Sequence, residues 1–99
     1  MLSIYKTIED GKVLFELSGQ LDAATSPMLQ NAFQEVQADL DELTLDCRKL
    51  NYISSAGLRI LLLIHKSLNL PEQMKLTHVS EDVMELFDVT GFSDILSIE

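Results

Sequence analysis

Leu43-Thr44-Leu45-Asp46-Cys47 runs through Arg48-Lys49-Leu50-Asn51 into Tyr52-Ile53-Ser54-Ser55-Ala56-Gly57-Leu58-Arg59, and an apolar run from Ile60 to Ile64 follows. The first five residues alternate and read as a strand. Arg48 to Asn51 read as a short polar connection. From about Ala56 to Ser67 the apolar residues recur at helical spacing. Ser55 or Ser54 is the natural N-cap of that helix, because a serine oxygen can accept a hydrogen bond from a free N–H of the first turn. Both hydroxyls therefore sit where unpaired N–H groups and the positive end of the helix dipole converge. That environment suits a phosphate.

Upstream, Leu2 to Ile8 alternate as a strand, and Glu9-Asp10-Gly11-Lys12 carries an Asp-Gly hairpin signal. Val13 to Ser18 is the partner strand, and Gly19-Gln20-Leu21-Asp22 reads as a loop. Thr25-Ser26-Pro27 is a helix start, with Ser26 or Thr25 as cap and proline at the first helical position. Leu29, Ala32, Phe33, Val36 and Leu40 give that helix one apolar face. Downstream, Leu70-Pro71-Glu72-Gln73 reads as a loop and Met74 to Val79 as a strand. Ser80-Glu81-Asp82 opens a third helix, buried through Val83, Leu86 and Phe87 and stopped by Gly91. Ile95 to Ile98 is a weak last strand or a frayed end.

After the first hairpin, strands and helices alternate. Parallel neighbours need crossover connections, so the expected fold is α/β: one small domain over residues 1–99, a mixed and mainly parallel sheet with helices packed on it. Right-handed crossovers bring the loops after the strands to one sheet edge. Asp22, Thr25, Ser54 and Ser55 are then expected to be neighbours.

A helical wheel at about 100° per residue places Leu58, Ile60, Leu61, Ile64, His65 and Leu68 on a core arc. Ser55, Arg59, Leu62, Leu63 and Lys66 share the outward side. Two leucines beside two cations have two readings: contact with a neighbouring helix, or a protein-docking face next to the hydroxyl.

Sixteen Asp and Glu against seven Lys and Arg give a net charge of −9. Such a chain has no overall electrostatic reason to bind nucleic acid or an anionic membrane. The acidity serves solubility or meets a basic surface on a protein partner. The single cysteine, Cys47, cannot form an internal disulfide and reads as a small core residue. No signal core is seen at the start, and no apolar run reaches the length of a membrane span, so direct membrane insertion is not expected and the default is a soluble cytoplasmic protein. Glycine-rich nucleotide loops, His-Glu-x-x-His and calcium loops are missing, as is a Gly-x-Ser-x-Gly elbow. His65 and His78 are isolated, and His78 alternates within the strand from Met74. No catalytic residue, metal ligand or cofactor is expected, and the chain is not read as an enzyme.

Leu17-Ser18-Gly19-Gln20-Leu21-Asp22-Ala23-Ala24-Thr25 resembles the Gly-x-Leu-Asp-x-x-Thr segment of the STAS family, the anti-sigma-factor antagonists. Leu45-Asp46-Cys47 through Leu58-Arg59 resembles that family's signature, a strand followed by Asp-Ser-Ser/Thr-Gly-Leu opening a helix. The element order matches across essentially the whole chain. The resemblance implies that Ser55 is the phosphorylated serine, with Ser54 in the place of the preceding aspartate and Ala56 in that of the following hydroxyl residue. Ser54 is a second, lesser candidate for modification. It also implies two partners: an anti-sigma factor that is a serine kinase, and a serine phosphatase of the partner-switching type. ATP belongs to the kinase. With the outward face of the helix, Arg59, Leu62, Leu63 and Lys66, added to the motif residues Asp22, Thr25, Ser54, Ser55 and Gly57, these make up the expected partner-binding set. A second reading keeps the fold but takes another partner, as an accessory subunit of a membrane transporter or a signalling scaffold. A third, a serine hydrolase, finds no support in the spacing.

Overall fold

A computed structural model describes residues 1–70 and 73–99. Strand β1 (Leu2–Glu9) and β2 (Lys12–Leu21) form a hairpin. Asp10 and Gly11 both have positive φ, 51° and 80°, as a two-residue type I′ turn requires. Helix α1 (Ser26–Val36) follows, then β3 (Glu42–Ile53), α2 (Ser55–Ser67), β4 (Met74–Thr77), α3 (Glu81–Thr90) and β5 (Ser97–Ile98). The expected loop at Leu70–Gln73 includes Pro71 and Glu72, which lie outside the described residues.

The sheet order is β1-β2-β3-β4-β5, antiparallel for the first pair and parallel for the rest. Strands added in chain order with crossovers of one hand put the helices on one face. The buried side chains agree: Val13, Phe15, Leu17 and Leu21 of β2 and Leu43, Leu45, Cys47, Leu50 and Ile53 of β3 point the same way. Leu29 and Phe33 of α1, Leu58, Leu61 and Ile64 of α2, and Val83 and Phe87 of α3 close the core over them. The other face of the sheet is open. Tyr5, Glu16, Asp46 and Thr77 lie in register across it.

Four expected boundaries differ. β2 continues to Leu21, so Gly19 to Leu21 are strand rather than loop. Arg48 to Asn51 are likewise strand, because β3 pairs with β2 from Glu42 to Ile53. Two bulges fall along this pairing, between Glu16 and Ser18 and between Gly19 and Gln20. Each bulge breaks the alternation of two while pairing continues. β4 ends at Thr77, and His78 turns out of the sheet with φ 55° instead of alternating within it. β5 is only Ser97–Ile98.

Candidate functional site

Parallel register sets Leu21 opposite Ile53, so the loops that leave β2 and β3 start side by side. The Ser54 N–H donates to the Leu21 carbonyl at 2.9 Å and ties them together. The segments bearing Asp22, Thr25, Ser54 and Ser55 are thus adjacent, as expected from the chain order.

The loop after β2 is closed by its own polar groups. Asp22 Oδ1 accepts from the N–H groups of Ala24 and Thr25, each at 3.0 Å. Thr25 Oγ1 accepts from the Asp22 N–H at 2.9 Å and donates to the Gln20 carbonyl at 2.9 Å. Ser26 Oγ donates to the Asp22 carbonyl at 2.6 Å. Thr25 and Ser26 are therefore buried without being unsatisfied. Thr25 occupies the N-cap position of α1, yet its side chain does not cap, and Pro27 is the second helical residue. The N–H of Thr25, then its hydroxyl and the N–H of Ala24, hold the Asp22 carboxyl below its ordinary value against the opposing effect of burial.

The two serines after β3 have different duties. Ser54 is half-buried and extended, with φ −90° and ψ 175°. Its Oγ accepts from the Gly57 N–H at 3.3 Å and its carbonyl from the Leu58 N–H at 2.9 Å. Ser54 is thus the N-cap, and Ser55 is the first helical residue. Ser55 is exposed, and among the described residues its hydroxyl has no hydrogen-bond partner. Gly57 is buried, and α2 lies against the end of β2 at this point.

Ser55, Arg59, Leu62 and Lys66 follow one another at steps of four, three and four, which makes a single stripe along α2. Arg59 and Lys66 are exposed and Leu62 is half-buried. Leu63 turns away from this stripe, toward a shallow groove beside Phe33 and Gln34 of α1. It remains 47% exposed. On the other flank, Ser55 opens on a groove of about 420 Å³ between α2 and α3, lined by Tyr52, Leu58, Val83 and Leu86. Asp82 stands at its rim. The outer side of α3 exposes Glu81, Asp82, Glu85 and Asp88 with no cation on that helix.

Two features were not anticipated from the sequence. The α2–α3 groove is one. The other is a polar cluster on the open face of the sheet: the Arg48 guanidinium lies 2.8 Å from His78 Nε2, and His78 Nδ1 lies 3.4 Å from Asp46 Oδ1. Asp46 Oδ1 also accepts the Arg48 N–H at 2.9 Å. The positive φ of His78 aims the ring back at β3, and no periodicity signals that. Cys47 is buried, and burial, with Asp46 adding to it, pushes its thiol up to about 12. Among the described residues no group of three or more His, Cys, Asp or Glu could hold a metal, and no helix is long and apolar enough to cross a membrane.

The model of the STAS domain matches residues 3–99. An anti-sigma-B factor antagonist of Listeria monocytogenes is 31% identical over 85 residues, covering 84% of this chain and 75% of that protein. Among solved structures, an anti-sigma factor antagonist from Mycobacterium paratuberculosis superposes with a TM-score of 0.88 at 22% identity, over 99% of this chain and 85% of that one. The Bacillus cell fate determinant SpoIIAA in its phosphorylated form superposes with a TM-score of 0.73 at 15% identity, over 100% of this chain and 91% of that one. The two motifs, the strand order and the helix that begins at Ser55 fall within the matched span, and the chain belongs to the STAS domain family.

Proposed function

We propose that the protein is an anti-sigma-factor antagonist, a binding switch set by phosphorylation of Ser55. One observation carries the choice of residue: the Ser55 hydroxyl is exposed at the start of α2 and has no hydrogen-bond partner among the described residues, whereas the Ser54 oxygen is engaged as the cap. The likeness to the Listeria antagonist and to the phosphorylated SpoIIAA fold supports the role.

In the unmodified state the α2 stripe of Ser55, Arg59, Leu62 and Lys66 docks on an anti-sigma serine kinase, which then releases its sigma factor. Asp22, Thr25 and Gly57 serve this surface indirectly, by shaping the loop and the close approach that position Ser55. Leu63 extends the surface toward α1. Ser55 Oγ bonds to the γ-phosphorus of the kinase's ATP as the bond to the β–γ bridging oxygen breaks, ADP leaves, and the serine gives up its hydroxyl proton. Phosphorylation adds about −1.5 to −2 charges. At a closely packed contact that charge opposes docking through desolvation and repulsion. A partner-switching serine phosphatase removes the phosphate and resets the surface.

The test is incubation with the cognate kinase and ATP, followed by peptide mass spectrometry and a binding titration. Phosphate is expected on Ser55, absent in Ser55→Ala and kept in Ser54→Ala, with weaker kinase binding by the modified form. Phosphate on Ser54, or equal binding by both forms, would overturn the reading.

A further inference from the structure

Arg59 stands one helical turn beyond Ser55 on the same stripe of α2, and both side chains are exposed. Residues four apart on a helix hold their Cβ atoms roughly 5–6 Å from each other, so a guanidinium reaches a group borne on the earlier residue. Among the described residues Arg59, like Lys12, Lys49 and Lys66, forms no ion pair, so its guanidinium is uncommitted, while Lys6 is paired with Glu35, and Lys75 with Glu42 and Glu99. The first turn of α2 contains no acidic residue to occupy it. The Gly57 N–H is already spent on Ser54 Oγ, so a group attached to Ser55 has little claim on that donor.

We infer that Arg59 is the positioning residue for phosphoserine 55: its guanidinium binds the phosphate, and the switch works by withdrawing Arg59 from the docking stripe. This rests on the phosphorylation of Ser55 proposed above. A guanidinium suits a phosphate better than an ammonium does, because its planar fork donates two parallel N–H bonds. Before modification the stripe offers two cations, Arg59 and Lys66, to a carboxylate-bearing partner surface. Afterwards Arg59 is turned along the helix onto the phosphate, and the partner carboxylate meets a net negative end. This removes a counter-ion from the interface as well as adding charge to it, on a protein whose net charge is already −9.

The experiment uses full-length protein with phosphoserine encoded directly at position 55, so no kinase is needed. The phosphate is titrated by phosphorus NMR in the parent, Arg59→Gln and Arg59→Lys. The dianion is favoured by a bound guanidinium, so its second ionisation is expected to rise by roughly 0.3–0.7 unit in Arg59→Gln. Arg59→Lys is expected to restore part of that shift. An unchanged midpoint in Arg59→Gln, with the fold intact by circular dichroism, would overturn the inference. The proposed modification fails separately, if the kinase leaves unmodified Ser55 untouched. A second readout concerns binding: the affinity gap between the Ser55 and phosphoserine forms is expected to narrow several-fold in Arg59→Gln. An equal gap in both backgrounds would remove Arg59 from the switch.

Discussion

The carbonyl oxygen of Leu21 lies where Gly57 has no side chain: a Cβ on Gly57 would stand 2.5 Å from it and 3.0 Å from Leu21 Cγ. The same oxygen accepts the Ser54 N–H at 2.9 Å. One backbone atom at the end of β2 therefore fixes both the cap of α2 and how closely the helix can approach the sheet.

Gly57→Ala tests this contact. A helix interior ordinarily gains about 1 kcal/mol from alanine over glycine. Here the methyl meets backbone that cannot move without shifting the strand, and overpacking of this kind costs about 1–3 kcal/mol. The expected net result is no gain and a loss of stability of up to about 2 kcal/mol, read from urea unfolding at an unchanged m-value. A stabilised Gly57→Ala protein would show that α2 does not rest on Leu21.

The serines should separate in the same assay. Ser54→Ala removes the cap and is expected to cost about 1 kcal/mol. Ser55→Ala removes a hydroxyl that bonds to nothing in the described protein, and is expected to stay within about 0.5 kcal/mol of the parent. Ser54→Asp keeps an N-cap acceptor and should hold stability near the parent value. Equal costs for the two alanine variants would contradict the division of labour between them.

Asp22 predicts a pH dependence. Its folded pKa is depressed below 3.8, so its ionised form is favoured in the folded state. The stabilisation is complete above the unfolded value of about 3.9 and disappears as pH falls through the lower folded value. Asp22→Asn keeps an acceptor oxygen but not the charge. The parent's stability advantage over it is expected to be constant from about pH 5 to 7 and to shrink below about pH 4. Unfolding midpoints across that range are the measurement, and a gap that widens in acid would reverse the assignment.

Much of the fold is legible in the sequence because its local signals are strong. Asp10-Gly11 specifies the hairpin, Ser80 with Gly91 frames α3, and the alternation after β2 dictates parallel pairing. The second half of β3 is not legible. Leu43, Leu45 and Cys47 step by two, but the next buried residues, Leu50 and Ile53, step by three. A bulged strand and a polar loop look alike in one dimension, because only the pairing partner shows that the ladder goes on. The same limit applies to the serines. Either could cap on composition alone, and it is the extended backbone at Ser54 that decides. His78 keeps the alternation of Met74 and Leu76, so its left-handed turn and its meeting with Arg48 arise from tertiary placement.

Cys47 offers a clock for opening of the core. A thiol that burial holds at about 12 supplies almost no thiolate at neutral pH. In native buffer at pH 8 a disulfide reagent is expected to leave it intact over hours, and to react within minutes in denaturant. Rapid native reaction would mean that the sheet near Cys47 opens far more often than its burial implies.

Strands that lie in the sheet in the order in which they occur in the chain give each one a waiting neighbour. In an assembly that follows the chain, the hairpin can form first, β3 can add to the free side of β2, and β4 to β3. No strand must be inserted between two already paired, and no partly made product has to be taken apart to admit the next segment. Growth runs one way from the hairpin, each arriving helix roofing the strands just laid down. The end of β3, from which Ser54 and Ser55 emerge, has its partner in β2 and needs neither β4 nor α3 to be paired.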